Sequence, residues 1–159
     1  MQLLIDRPNT TALVLNISIA IGLCLAINSV IFGFGFDTTE NDVAVWFAPP
    51  GYVVGAMWVL LFALIGLSRY LLNASGDFAA GTKVWTVGLL LFCLAYPIYT
   101  IGFQSEIIGL IGNIATIGLT IYVMSRTLKF SRAATFLLAP IVVWVSFASL
   151  IILAELRWI

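Results

Sequence analysis

Charged residues divide this chain into five long apolar runs. No Asp, Glu, Lys or Arg occurs at 8–36, 43–68, 84–105, 107–125 or 133–154, runs of 29, 26, 22, 19 and 22 residues. A helix needs roughly 20 apolar residues to cross the hydrocarbon core of a bilayer, so each run suffices for one crossing and none for two. Backbone groups in lipid must find partners within the segment or in a closed neighbour. A barrel would show alternating segments of about 10 residues, a dyad pattern that is missing here. The pattern therefore predicts an all-α integral membrane protein, a five-transmembrane-helix bundle forming a single domain over 1–159. Its spans are expected at about 10–33, 49–71, 83–103, 106–125 and 133–155. The first run follows Arg7 as a signal peptide would, yet it exceeds the roughly 7–15 residues of a signal h-region and is read as a helix.

Trp46, Tyr70, Trp85 and Trp158 fall at the expected edges of the spans, where aromatic rings favour the headgroup level. The N-terminal tail and the second and fourth loops together carry Arg7, Arg69, Lys83, Arg126, Lys129 and Arg132, against Arg157 alone on the other side. The positive-inside rule then places the N-terminus in the cytoplasm and the C-terminus outside, in a bacterial inner membrane. Asp37, Glu40 and Asp42 gather in the first loop, on the outer side.

Composition acts mainly by exclusion. With 62% of residues hydrophobic and 9% charged, the chain does not read as a water-soluble globule. Seven basic residues balance seven acidic ones, which leaves no electrostatic footprint for nucleic acid. The absence of histidine removes the commonest metal ligand and the usual neutral-pH general base. Cys24 and Cys93 lie in apolar runs without CxxC spacing and read as small buried hydrophobes. No cofactor is required by this pattern, and membrane lipid is the first expected partner. Glu106, between the third and fourth spans, reads as a solvated turn residue, so a carboxylate proton relay is not expected.

Softer polar groups remain. Asn113, Thr116 and Thr120 share one face of the fourth helix, and Tyr96, Tyr99 and Thr100 one face of the third. They line a pocket or bond across helices, and spacing alone leaves both readings open. Asn16 and Asn28 are out of phase and form no stripe. Pro97 and Pro140 each remove a backbone hydrogen bond, opening a cavity through a kink or, for Pro140, shaping the first turns of the fifth helix.

The densest constellation runs from Trp46 to Trp58. Pro49 and Pro50 suit a helix start, and Gly51 and Gly55 form a G-xxx-G pair open to a neighbouring helix or a flat ligand, with helix packing the simpler use. Gly55, Trp58 and Phe62 continue at helical spacing, setting an indole beside the smooth patch.

The string Phe47-Ala-Pro-Pro-Gly51, then Gly55, Met57-Trp58 and Leu60-Leu-Phe62, resembles the second helix of the TspO/MBR family of tryptophan-rich sensory proteins. Ala134-Thr-Phe-Leu-Leu-Ala-Pro140, followed by Trp144 and Phe147-Ala148, is similar to that family's last helix. The resemblance implies a TspO-like bundle with a pocket for porphyrins, sterols or aromatic drugs between helices beneath the first loop. Trp58 and Trp144 would line it, with Phe147 and Tyr96 beside them and Pro50, Gly51, Gly55 and Ala148 shaping it. A flat hydrophobic macrocycle held by stacking suits those residue types. The third helix departs from the family, offering Leu91-Phe-Cys-Leu-Ala-Tyr96 where Asn and Gln or Trp are usual, which alters the polarity of the pocket.

The expected function is therefore a sensor or carrier of a porphyrin or other tetrapyrrole, with a sterol as a further option. Light-dependent porphyrin breakdown through the Trp58 indole rests on the resemblance alone, and the chain is not read as an enzyme. The alternatives are an accessory subunit that keeps the fold without the ligand, docking on other membrane proteins, and a small-solute transporter. A homodimer is an option that Gly51 and Gly55, or Gly109 and Gly112, leave open.

Overall fold

The computed structural model describes residues 4–34, 45–103 and 105–158. The first-loop carboxylates Asp37, Glu40 and Asp42 lie outside them. Among the described residues the chain is helical with no strand. A 3-10 turn, Leu4–Asp6, precedes α1 (Thr10–Gly33), α2 (Gly51–Leu71), a second 3-10 segment (Leu72–Ala79), α3 (Ala80–Phe103), α4 (Glu106–Thr127), the short α5 (Arg132–Phe136) and α6 (Ala139–Glu155).

Four stretches are long and apolar enough to cross a membrane, namely Thr10–Ile31, Gly51–Thr100, Glu106–Thr127 and Arg132–Glu155. The second has 50 residues and would reach about 75 Å if straight. It is not straight. At Gly76 the backbone takes φ 56° and ψ −136°, a left-handed conformation that a side chain would strain. The Trp58 and Tyr96 rings, 38 residues apart, then lie 6.5 Å apart, so α3 runs back alongside α2. The second connection is helical almost throughout, and its Leu72 and Ala79 are buried with Ala134 of α5.

Contacts fix which ends meet. Asp6 pairs with Arg69 and Lys83, and the Ser68 hydroxyl donates to the Ala134 carbonyl. The N-terminal tail and the second and fourth connections thus share one end. Phe47 meets Phe147 at the opposite end, where Gly109 of α4 also approaches Ile152 of α6.

In lipid, helices associate through close packing and polar contacts, because the tails are as apolar as the side chains. Gly66 shows this between α1 and α2, since a methyl group there would lie 2.6 Å from the Asn16 carbonyl oxygen and 3.1 Å from the Ile17 Cα. Tyr99 of α3 seats on Gly112 of α4, and Tyr96 reaches Gly109. Leu61, Ile65, Leu89, Val123, Ile141 and Val145 form the centre of the core, joined by Cys24 and Cys93 as the expected small buried hydrophobes. Outward, Val14, Leu25, Leu91, Ile98, Ile111 and Val143 are exposed, an apolar surface suited to lipid rather than water.

Burial is uneven along the bundle. Among the described residues, α1 has none buried after Cys24, α2 none before Leu61 and α3 none after Leu94, whereas α4 is buried on its inner face from Gly109 to Thr127. Three helix ends are therefore loosely packed on the side away from Asp6.

Candidate ligand-binding site

The loosely packed ends of α2 and α3 hold Trp58 and Tyr96. Pro50 caps α2 at φ −62° and ψ 150°, the extended geometry that delivers the chain into the first turn at Gly51. From there Trp58 comes round on the inner side of α2. Its indole is half-buried against the core, 6.1 Å from the Phe62 ring and 6.5 Å from Tyr96. Tyr96 in turn makes an edge contact with Tyr99 at 5.4 Å. On α6, Trp144 also packs against the core, 5.7 Å from Phe147, which lies 6.3 Å from Phe47. Ala148 follows on the same helix, half-buried.

The expected residues thus form two sets, Trp58 with Tyr96, and Trp144 with Phe147. Both indoles border one core, and among the described residues no ring contact joins the sets. Phe47 is the link from the chain before α2, and Tyr99 extends the other set toward α4.

Among the described residues of the chain, Gly51 and Gly55 meet no neighbouring helix, the simpler use expected of their spacing. A methyl group at either would meet no described atom within 4 Å. The close approaches fall instead at Gly66, Gly109 and Gly112. The last two are approached by α3 tyrosines of the same chain. What Gly55 leaves is a smooth half-buried position one turn from an indole.

On the polar face of α4, the threonine hydroxyls are spent within their own helix. Asn113, Thr116 and Thr120 are buried, and the Thr116 and Thr120 hydroxyls donate to the carbonyls of Gly112 and Thr116 in their own helix. Thr100 likewise donates to Tyr96 and Pro97 carbonyls. Two polar atoms on these helices, the Tyr99 hydroxyl and the Asn113 Nδ2, are buried without a partner. α3 continues through Pro97, and Pro140 lies in the first turn of α6, shaping its start.

A second polar group escaped the sequence reading. Arg69 and Lys83, expected as loop charges, belong to the last turn of α2 and the first turns of α3, and Lys83 is only 8% exposed. Arg69 donates to Asp6 at 3.0 Å and to Asn16 Oδ1 at 2.6 Å, and Lys83 lies 3.5 Å from Asp6. Asn16 and Asn73 both donate to the Ile5 carbonyl. Nothing in spacing foretold this, because Asp6 precedes the first helix and its partners lie more than 60 residues on.

Comparisons with known proteins identify a family of membrane proteins. The model of the TspO/MBR family matches residues 20–157. The Tryptophan-rich protein TspO of Chlorobaculum tepidum is 27% identical over 149 residues, covering 86% of this chain and 90% of that protein. The Uncharacterized membrane protein YtaB of Bacillus subtilis is 30% identical over 103 residues, 64% of this chain and 66% of that protein.

Proposed function

The chain belongs to the TspO/MBR family of membrane proteins, and from that premise we propose that it binds a flat hydrophobic ligand between the loosely packed helix ends and acts as its sensor or carrier. A porphyrin or related tetrapyrrole is the favoured ligand, a sterol the next. One observation carries the reading: half-buried Trp58 and Trp144 border a common core, and one turn from Trp58 no described atom fills the space over Gly55. Indole faces supply stacking area, and glycine leaves room for the edge of a macrocycle.

We also read the bundle as five crossings. The 50-residue stretch Gly51–Thr100 doubles back at Gly76 and counts as two, with α5 and α6 together making the fifth. Arg7, Arg69, Lys83, Arg126, Lys129 and Arg132 then share the end that holds Asp6, which puts that end in the cytoplasm of a bacterial inner membrane.

Titration of the detergent-purified protein with protoporphyrin, followed by Trp fluorescence quenching, tests the ligand. Saturable quenching is expected, with Trp58→Phe or Trp144→Phe weakening affinity roughly tenfold while helicity stays constant. Unchanged affinity in both variants would remove the indoles from the site. Absence of saturable binding by a folded sample would favour the accessory-subunit reading, in which outward faces dock on other membrane proteins.

Gly55→Leu separates the site from the fold. With no described atom near a Cβ there, thermal stability should hold or rise slightly, since leucine is the better helix former. Protoporphyrin quenching should fall to background, because the side chain occupies the space over Gly55; full binding by this variant counts against that space as part of the ligand site.

A further inference from the structure

The opposite end of the bundle holds a feature that ligand binding among the aromatic residues does not use. We propose that Arg69 and Lys83 form an anion site whose resident occupant is the chain's own Asp6, and that a phosphate monoester, soluble or carried on a lipid headgroup, can take its place.

Two cations share one carboxylate oxygen there. Asp6 Oδ1 accepts from Arg69 Nη2 at 3.0 Å and lies 3.5 Å from Lys83 Nζ, with side-chain exposures of 23%, 15% and 10% respectively. Charges this far from water need compensation, and among the described residues one carboxylate serves both. Two further atoms of the cluster are buried without partners, the donor Arg69 Nε and the acceptor Asn73 Oδ1. Asn73 is not simply turned over, because its amide nitrogen donates to the carbonyls of Ile5 and Arg7.

An ion matching this set must accept charge-assisted hydrogen bonds from Arg69 and Lys83 and donate one to Asn73. The monoanion of a phosphate monoester has both kinds of oxygen. Sulfate, a carboxylate or a phosphodiester has acceptors but no proton to give. Asp6 is displaceable because it sits on a three-residue turn, Leu4–Asp6, of which no residue is fully buried. When that turn leaves, the Asn16 amide that bonds the Ile5 carbonyl becomes one more donor for the incoming ion, while the Arg7 carbonyl keeps Asn73 oriented. The site stands independently of the tetrapyrrole reading, since it uses none of the aromatic residues.

Leu4 is 52% exposed and takes a probe without disturbing the cluster. The full chain carrying a spin label at Leu4→Cys, in phosphatidylcholine nanodiscs, should show a mobile label on adding inorganic phosphate and a fixed one on adding sulfate. If phosphate is silent but phosphatidic acid in the disc frees the label, the lipid headgroup is the source; if both act, the site also takes the soluble ion. Lys83→Met should abolish either response. A label fixed under both phosphate probes, one freed equally by sulfate, or a response that survives Lys83→Met overturns the proposal. In calorimetry, Asp6→Asn should bind inorganic phosphate roughly tenfold more tightly than the unsubstituted chain, the internal competitor being gone. Equal affinity contradicts the proposal, and should Asp6→Asn fail to fold, the label experiment on the intact cluster decides.

Discussion

Gly66→Ala will separate α1 from α2 and lower stability by about 3 kcal/mol, the upper end of what overpacking usually costs. The added methyl would lie 2.6 Å from the Asn16 carbonyl oxygen, 3.0 Å from its carbon and 3.1 Å from the Ile17 Cα. All three are backbone atoms of α1, so no side chain can swing aside and the helix itself must move. That shift also pulls Asn16 away from Arg69, which it holds at 2.6 Å. Unfolding followed by circular dichroism in detergent should show the loss, and Gly55→Leu, larger but unopposed, should not. A Gly66→Ala variant as stable as the parent would mean that α1 and α2 are free to slide past one another.

Asp6→Ala should destabilise the protein by a similar amount, about 3 kcal/mol, as for other buried pairs that lose one partner. The loss comes less from the missing attraction than from two cations left without a counter-charge in a site where Lys83 is 8% exposed. Adding Lys83→Met to Asp6→Ala should return part of the stability, because it removes one uncompensated charge, and the double variant should therefore be more stable than Asp6→Ala alone. The effect should persist at high salt, which screens exposed pairs far more than enclosed ones. A loss below about 0.5 kcal/mol would place the three groups on the scale of surface ion pairs.

The helical, membrane-spanning character was legible because lipid enforces it: charge-free runs of bilayer length have no alternative to helix. Trp58, Tyr96, Trp144 and Phe147 were legible as residue types, through their resemblance to known motifs, and the structure pairs Trp58 with Tyr96 and Trp144 with Phe147. Spacing failed where several outcomes share one period. Thr116 and Thr120 at helical intervals suit a pocket wall, cross-helix bonds or bonds to their own helix equally, and the third prevails because the i−4 carbonyl is always within reach. Gly51 and Gly55 have the spacing of a packing motif and meet nothing described, whereas Gly66 lacks that spacing and carries the closest backbone approach. Close approach depends on what the partner helix presents, here the Asn16 carbonyl, and one chain segment read alone does not contain that information. The stretch 69–83 read as a loop because charge and glycine interrupt it, yet only Gly76 leaves helical geometry there, and burial of Leu72 and Ala79 keeps the remainder wound.

The uneven burial along the bundle bears on how such a protein changes over evolutionary time. Substitutions at the end near Asp6 act on close backbone contacts and enclosed charges, and most will be purged as unfolding. At the other end, Gly51 and Gly55 lie where described neighbours are sparse, so new side chains there alter the shape of the gap at little expense to the fold. Under the proposed function, the residues that keep the molecule assembled would be separate from those that decide what it accommodates, and selection could explore new ligands in one half while the other holds still.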